Sequence, residues 1–94
     1  MPLITTGLTV MSSYSNWYLG PQPIRADNES VSRFCTEMGY GTPTSYTSDN
    51  GGFSNDGGRS MNYYSNSAPL SPSGTTSAWI NVFGYDGIVT SITT

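Results

Sequence analysis

Asp27-Asn28-Glu29-Ser30-Val31-Ser32-Arg33-Phe34-Cys35-Thr36-Glu37-Met38-Gly39-Tyr40 is the stretch on which the fold turns. Asp27-Asn28 offers side-chain oxygens that can cap the first N–H groups of a helix. Glu29 then places a carboxylate in the first turn, where the helix dipole favours it. Val31, Phe34, Cys35 and Met38 follow at i, i+3, i+4 and i+7, which is one face of a helix. Gly39 stands where a left-handed C′ residue closes the last turn, and Tyr40 is placed at C″ to contact Cys35 in a Schellman arrangement. The spacing predicts a helix over about 28–38 with an apolar stripe that must be covered. Asn28-Glu29-Ser30 also matches a glycosylation sequon, a chance match at a helix start.

Upstream, Leu3-Ile4-Thr5-Thr6-Gly7-Leu8-Thr9-Val10-Met11 is β-branched and partly alternating, and reads as a strand broken at Gly7. Tyr14-Ser15-Asn16-Trp17-Tyr18-Leu19 is aromatic and stops at Gly20-Pro21-Gln22-Pro23, whose prolines exclude a helix or a central strand. Downstream, residues 41–76 are rich in Gly, Ser, Asn and Pro, with short strands expected at 43–47 and 60–64. The loop 49–58 holds two turn signals around Phe53, and 67–74 is a further loop. At the end, Ala78-Trp79-Ile80-Asn81-Val82-Phe83 and Ile88-Val89-Thr90-Ser91-Ile92-Thr93 flank Gly84-Tyr85-Asp86-Gly87, which predicts a hairpin. Both faces of its first arm are largely apolar. One face is expected on the helix and the other on a neighbouring molecule, so that an isolated monomer would be weakly stable. The fold class that follows is α+β, mainly β. It comprises a small antiparallel sheet, one short helix and long Gly/Ser/Asn loops, in a single domain spanning 1–94.

Composition narrows the function classes. Leu, Ile, Val and Phe account for only 16 of the 94 residues, below the roughly 20% associated with disorder. Net charge is only −3, however, and two Trp and seven Tyr supply apolar area, so a folded domain that leans on aromatics is expected. Charged residues make up 10%, against about a quarter in ordinary soluble domains, and the cations are Arg25, Arg33 and Arg59 with no lysine. So few cations cannot neutralise many phosphates, which argues against nucleic acid as a partner. No apolar run approaches the ~18 residues of a membrane span. The opening Met1-Pro2-Leu3-Ile4-Thr5-Thr6 lacks the basic and apolar regions of a signal peptide, which leads to the expectation of a self-contained product assembled in the cytoplasm. A single cysteine, Cys35, excludes an internal disulfide.

The side chains that do chemistry near neutral pH are scarce. There is no histidine to serve as acid or base and no lysine for a Schiff base. Cys35 lies on the apolar helix face and reads as a packing thiol. Asp49, Asp56 and Asp86 could in principle supply a glycosidase pair, but loop aspartates beside glycine are turn formers far more often. An enzyme is therefore not expected, and no catalytic residue is assigned. The loop 49–58 offers Asp and Asn oxygens to a calcium ion, yet the EF-hand pattern cannot be laid on it, so two β-turns are expected and no cofactor or metal ligand is assigned. What remains is an excess of aromatics and amides of the type that recognition surfaces use. Trp17, Tyr18, Tyr46, Asp49, Asn50, Phe53, Tyr63 and Tyr64 are the candidate ligand-binding residues. Packing is the competing role for each of them.

Phe34-Cys35-Thr36-Glu37-Met38-Gly39-Tyr40, then Ser45-Tyr46-Thr47, then Trp79 and the closing Ile88-Val89-Thr90-Ser91-Ile92-Thr93 resemble small surface modules of bacteriophage virion proteins and bacterial adhesion proteins. The resemblance covers roughly residues 26–94, with an unmatched middle. Those modules tend to end in a cysteine, whereas this sequence ends in Thr93-Thr94, so Cys35 lacks that partner. The resemblance implies a virion structural protein on a tail, fibre or capsid surface, aiding adsorption to host glycan. The alternative it leaves open is an architectural decoration or cement protein with no ligand of its own. Expected partners are other virion proteins or copies of itself and possible host surface glycan, with no nucleic acid and no membrane insertion.

Overall fold

A computed structural model describes residues 2–15, 17–51, 57–66 and 77–94. In chain order the elements are β1 (Leu3–Ile4), β2 (Thr9–Met11), β3 (Tyr14–Ser15), β4 (Pro21–Pro23), α1 (Asn28–Met38), β5 (Ser45–Ser48), β6 (Arg59–Ser65), β7 (Ala78–Gly84) and β8 (Val89–Thr93). The described residues are thus mainly β with one helix, as the sequence implied, but the strands form three small sheets. Their orders are β1-β8-β5, β2-β4 and β3-β7-β6, and the β3–β7 pair is parallel.

The helix forms where the spacing placed it. Asp27 is extended at the N-cap, and its Oδ1 accepts the Ser30 N–H at 2.8 Å. Gly39 takes the left-handed conformation at φ 74°, its N–H bonds the Thr36 carbonyl, and the Tyr40 N–H bonds the Cys35 carbonyl. This is the Schellman pairing, and the Tyr40 ring lies edge-on to Phe34 with centroids 6.0 Å apart. The expected contact with Cys35 is therefore made by backbone, while the ring packs one residue earlier. The apolar stripe also differs: Met38 is 50% exposed, and the buried residues are Ser30, Val31, Phe34 and Cys35. Burial is confined to the first two turns, because there the helix docks on β6 and its last turn runs past the core.

That docking is polar as well as apolar. Ser30 Oγ accepts the Tyr64 N–H at 2.9 Å, and the Arg25 N–H donates to the Asn62 carbonyl at 2.8 Å. The outer edge of β6 is thereby covered by the helix start and the segment leading into it, which removes an open pairing edge. The core collects Ile24, Val31, Phe34, Cys35, Trp79, Val89 and Ile92, with Ile4, Leu8, Val10, Ala26, Tyr46 and Tyr64 packed around them.

The terminal hairpin does not form. β7 lies between β3 and β6, and β8 lies between β1 and β5 in a different sheet. The link 84–87 turns the chain from one sheet to the other and is held there by contacts to distant segments. Asp49 Oδ1 accepts the Ile88 N–H at 3.1 Å, and the Ala26 N–H donates to the Gly87 carbonyl at 3.0 Å. The physical reason lies in the two-faced patterning. A hairpin would leave each arm a free edge, whereas two separate sheets make each arm a central strand with partners on both sides. The second apolar face of β7 is accordingly buried within this chain: Ala78 and Ile80 are as inaccessible as Trp79, and Met61, opposite Val82 on that face, is fully buried. No neighbouring molecule is needed to cover it, contrary to the expectation from sequence.

The remaining strands agree with the local chemistry. Gly7, at φ 70°, separates β1 from β2, which join different sheets. Pro21 and Pro23 sit in an edge strand, where Gln22, which keeps its N–H, is the residue opposite Val10.

Candidate binding surface

The surface builds from a buried amide pair. Asn62 on β6 and Asn81 on β7 face each other across the sheet and are both 0% exposed. Asn81 Nδ2 donates to Asn62 Oδ1 at 2.8 Å, to Ser60 Oγ at 2.8 Å and to the Met61 carbonyl at 3.2 Å. Its Oδ1 accepts the Tyr18 N–H at 3.0 Å. Asn62 Nδ2 in turn donates to the Val10 carbonyl at 2.8 Å and the Gly20 carbonyl at 3.3 Å. Two side chains thus fasten β6 and β7 to the loop 12–20. Ser12, itself buried, closes that loop: its N–H donates to the Gly20 carbonyl and its Oγ accepts the Gly20 N–H. Every described buried side-chain polar atom has a partner, as a folded interior requires.

Held in this way, the loop presents its aromatics outward. Ser15 Oγ accepts the Trp17 N–H at 2.9 Å. The Trp17 ring meets Phe83 of β7 at 5.2 Å between centroids, tilted by 45°. Trp17 is 67% exposed, Tyr18 47% and Phe83 44%. Two glycines make the geometry possible. A Cβ on Gly20 would come within 2.8 Å of the Tyr18 ring, and one on Gly58 within 2.7 Å of the Phe83 ring. The result is a solvent-facing Trp17–Phe83 pair on a hydrogen-bonded base, with the exposed Tyr18 ring lying against Gly20.

The other candidates do not join it. Tyr64 packs edge-on to Trp79 at 5.5 Å, with the Arg33 guanidinium over its ring at 4.8 Å. Tyr63 lies under the Arg25 guanidinium at 3.9 Å. Tyr46 is half-buried beside the core and walls a groove against α1. Asn50 is exposed, and Phe53 lies outside the described residues.

Asp49 is a clasp. Its Oδ1 accepts the N–H groups of Gly51 (3.0 Å) and Ile88 (3.1 Å), and its Oδ2 pairs with Arg59. The Arg59 guanidinium, aided by these N–H groups, holds its carboxyl below the usual carboxylate range against the opposing effect of burial. A calcium ion ligated by Asp49 would compete with these donors for the carboxylate. Among the described residues no three carboxylate, thiol or imidazole groups gather in a metal-binding cluster, and residues 52–56 of that loop lie outside them.

The other two arginines are paired as well. Arg25 meets Asp27 at 2.9 Å and Arg33 meets Glu37 at 2.7 Å. Glu37 also accepts the Trp79 indole N–H at 2.9 Å, tying helix to sheet. Cys35 is buried, and burial pushes its thiol up, away from the reactive thiolate. No described helix is long and apolar enough to cross a membrane.

Phe83 is the platform residue that sequence reasoning missed, because it was assigned to a hairpin arm. Trp79, Asn81 and Phe83 alternate along one face of β7, and that period was the available signal. The pairing of Asn62 with Asn81 had none, since it depends on register between strands distant in sequence. Comparison of the chain with known protein families, with curated proteins and with solved structures gave no match.

Proposed function

We propose that the chain is a non-catalytic recognition module, displayed in many copies on a phage particle, that holds host surface glycan through the Trp17–Phe83 platform and the exposed Tyr18 next to Trp17 in the chain. The observation that carries this reading is the platform itself: the Trp17 and Phe83 rings, 67% and 44% exposed and in contact, on a base locked by Asn62 and Asn81. Rigid aromatic faces give contact area at little entropic cost, and apolar sugar faces stack on such rings. The placement on a tail, fibre or capsid surface rests on the sequence resemblance alone. Each copy binds weakly, and display in an array raises avidity by about 10²–10⁴. The non-catalytic part rests on the lack of His and Lys and on the engagement of Asp49 with Arg59.

The test is a glycan array probed with a multimerised form of the protein. Trp17→Ala should abolish retention while the thermal midpoint stays within a few degrees, because a side chain this exposed contributes little to stability. A blank array for the unsubstituted multimer defeats the glycan reading. The architectural alternative has its own support in the exposed aliphatic side chains of Leu3, Met11 and Leu19, which suit protein contacts better than sugars. It predicts a blank array together with saturable attachment to virion lattices.

A further inference from the structure

We infer that the groove between α1 and β5 is a saccharide subsite, distinct from the aromatic platform, that takes the ring of a neutral sugar. This rests on the glycan reading above and names a second place where that chemistry occurs. The groove has a volume of about 540 Å3, within the roughly 300–1,000 Å3 of small-molecule sites. Its walls are Asn28, Val31 and Ser32 from the helix and Pro43, Thr44, Ser45 and Tyr46 from the strand side. None of these is Asp, Glu or Arg, so the site offers a charged ligand no counter-ion. It offers an amide, three aliphatic hydroxyls and a phenol, with the half-buried rings of Pro43 and Tyr46 as its accessible apolar surface and Val31 buried behind them. That combination matches a ligand with many hydroxyls and an apolar ring face.

The walls are preformed. Val31 is fully buried and Tyr46 is packed against the core cluster, so neither can swing to fill the space. Thr44 Oγ1 is tied to the Thr93 carbonyl at 3.2 Å. The side chains of Asn28, Ser32 and Ser45 have no hydrogen-bond partner among the described residues and are exposed to solvent. They can exchange water for ligand hydroxyls without breaking an internal contact.

Backbone ¹⁵N–¹H spectra of the full chain, titrated with methyl α-glucopyranoside, methyl α-galactopyranoside and N-acetylglucosamine, test this. The expected result is saturable shifts at millimolar sugar for the amides of Val31, Ser32, Ser45 and Tyr46. Ser32→Trp, an exposed position whose indole would fill the groove, should weaken the response at least tenfold. Tyr46→Phe, which keeps the packing and removes only the phenol, should weaken it by a smaller factor. Trp17→Ala should leave it unchanged. Shifts confined to residues 17, 18 and 83 would overturn the groove and leave the platform reading intact. Shifts nowhere would overturn the groove, and only a blank array in addition would remove the glycan reading. Shifts at the groove with a neutral extended peptide (acetyl-Thr-Val-Thr-Val-amide) but with none of the sugars would overturn it in favour of strand addition at β5.

Discussion

Replacing Asn81 should damage this protein more than any change of similar size on its surface. Asn81→Leu keeps the volume and removes one donor group and one acceptor. It leaves Asn62 Oδ1, on a fully buried residue, without its 2.8 Å partner. An orphaned buried acceptor costs about 1–3 kcal/mol, and each lost internal hydrogen bond about 1 kcal/mol net. The Tyr18 N–H lies on an exposed residue and can turn to water, so it adds little. The sum is about 3 kcal/mol, set against the roughly 5–14 kcal/mol that a chain of 94 residues can be expected to hold. Asn81→Asp should be worse at pH 7 despite its nearly identical shape. It sets an unpaired carboxylate oxygen against Asn62 Oδ1 and the Met61 carbonyl, where burial raises its pKa. The proton is then bound more tightly in the folded state, so this variant, unlike the parent, should gain relative stability as pH falls. Urea unfolding followed by tryptophan fluorescence reads all of this, with Trp17 reporting the loop that Asn81 anchors. A loss below about 0.5 kcal/mol for Asn81→Leu, the level of ordinary surface changes, would refute the reasoning. So would an Asn81→Asp variant no weaker than Asn81→Leu at pH 7.

Other perturbations follow from the same contacts. Gly39→Ala forces a Cβ into the left-handed C-cap and should cost about 1–2 kcal/mol, read as a drop of roughly 4–8 °C per kcal/mol in the melting midpoint. Since a Cβ there meets nothing within 4 Å, a near-neutral result would show that the Schellman closure is dispensable. For Asp49 the folded pKa is lowered below its ordinary 3.8, chiefly by Arg59. Its contribution is therefore complete above that value and is lost as pH falls through the lower folded one. Asp49→Asn should flatten stability against pH below about pH 4, by a small amount because the pair is partly exposed and screened. An unchanged acid limb in denaturant midpoints would remove Asp49 as a clasp. Cys35, buried and with its thiol pKa raised, should react with a thiol reagent only at the rate of unfolding; fast labelling of the native protein would contradict its place in the core.

The helix was legible because everything it needs is local. Cap, first-turn acid, apolar spacing and closing glycine all fall between Asp27 and Gly39, and the backbone obeyed them. Strand existence was legible for a similar reason, since β-branched and aromatic runs between Gly and Pro signals mark where the chain extends. Trp17 and Tyr18 could be nominated as binding residues because an aromatic pair beside a Gly-Pro stop suggests a loop. Tyr63 and Tyr64 could not be told apart from them, although each lies under an arginine from a distant segment.

Composition and local pattern alone determined a β-rich chain with one capped helix, a thiol on its apolar face and neither histidine nor lysine. The tertiary structure decided which strands became neighbours, because hydrogen bonding between strands does not depend on their distance along the chain. The same two-faced pattern that suggested a hairpin is better satisfied by two central strands in separate sheets. Asp49 changed from a possible ligand to a clasp, and Asn62 and Asn81 from unremarked amides to the base of the exposed rings. In each case the deciding partner was a donor or acceptor brought close only by the folded chain.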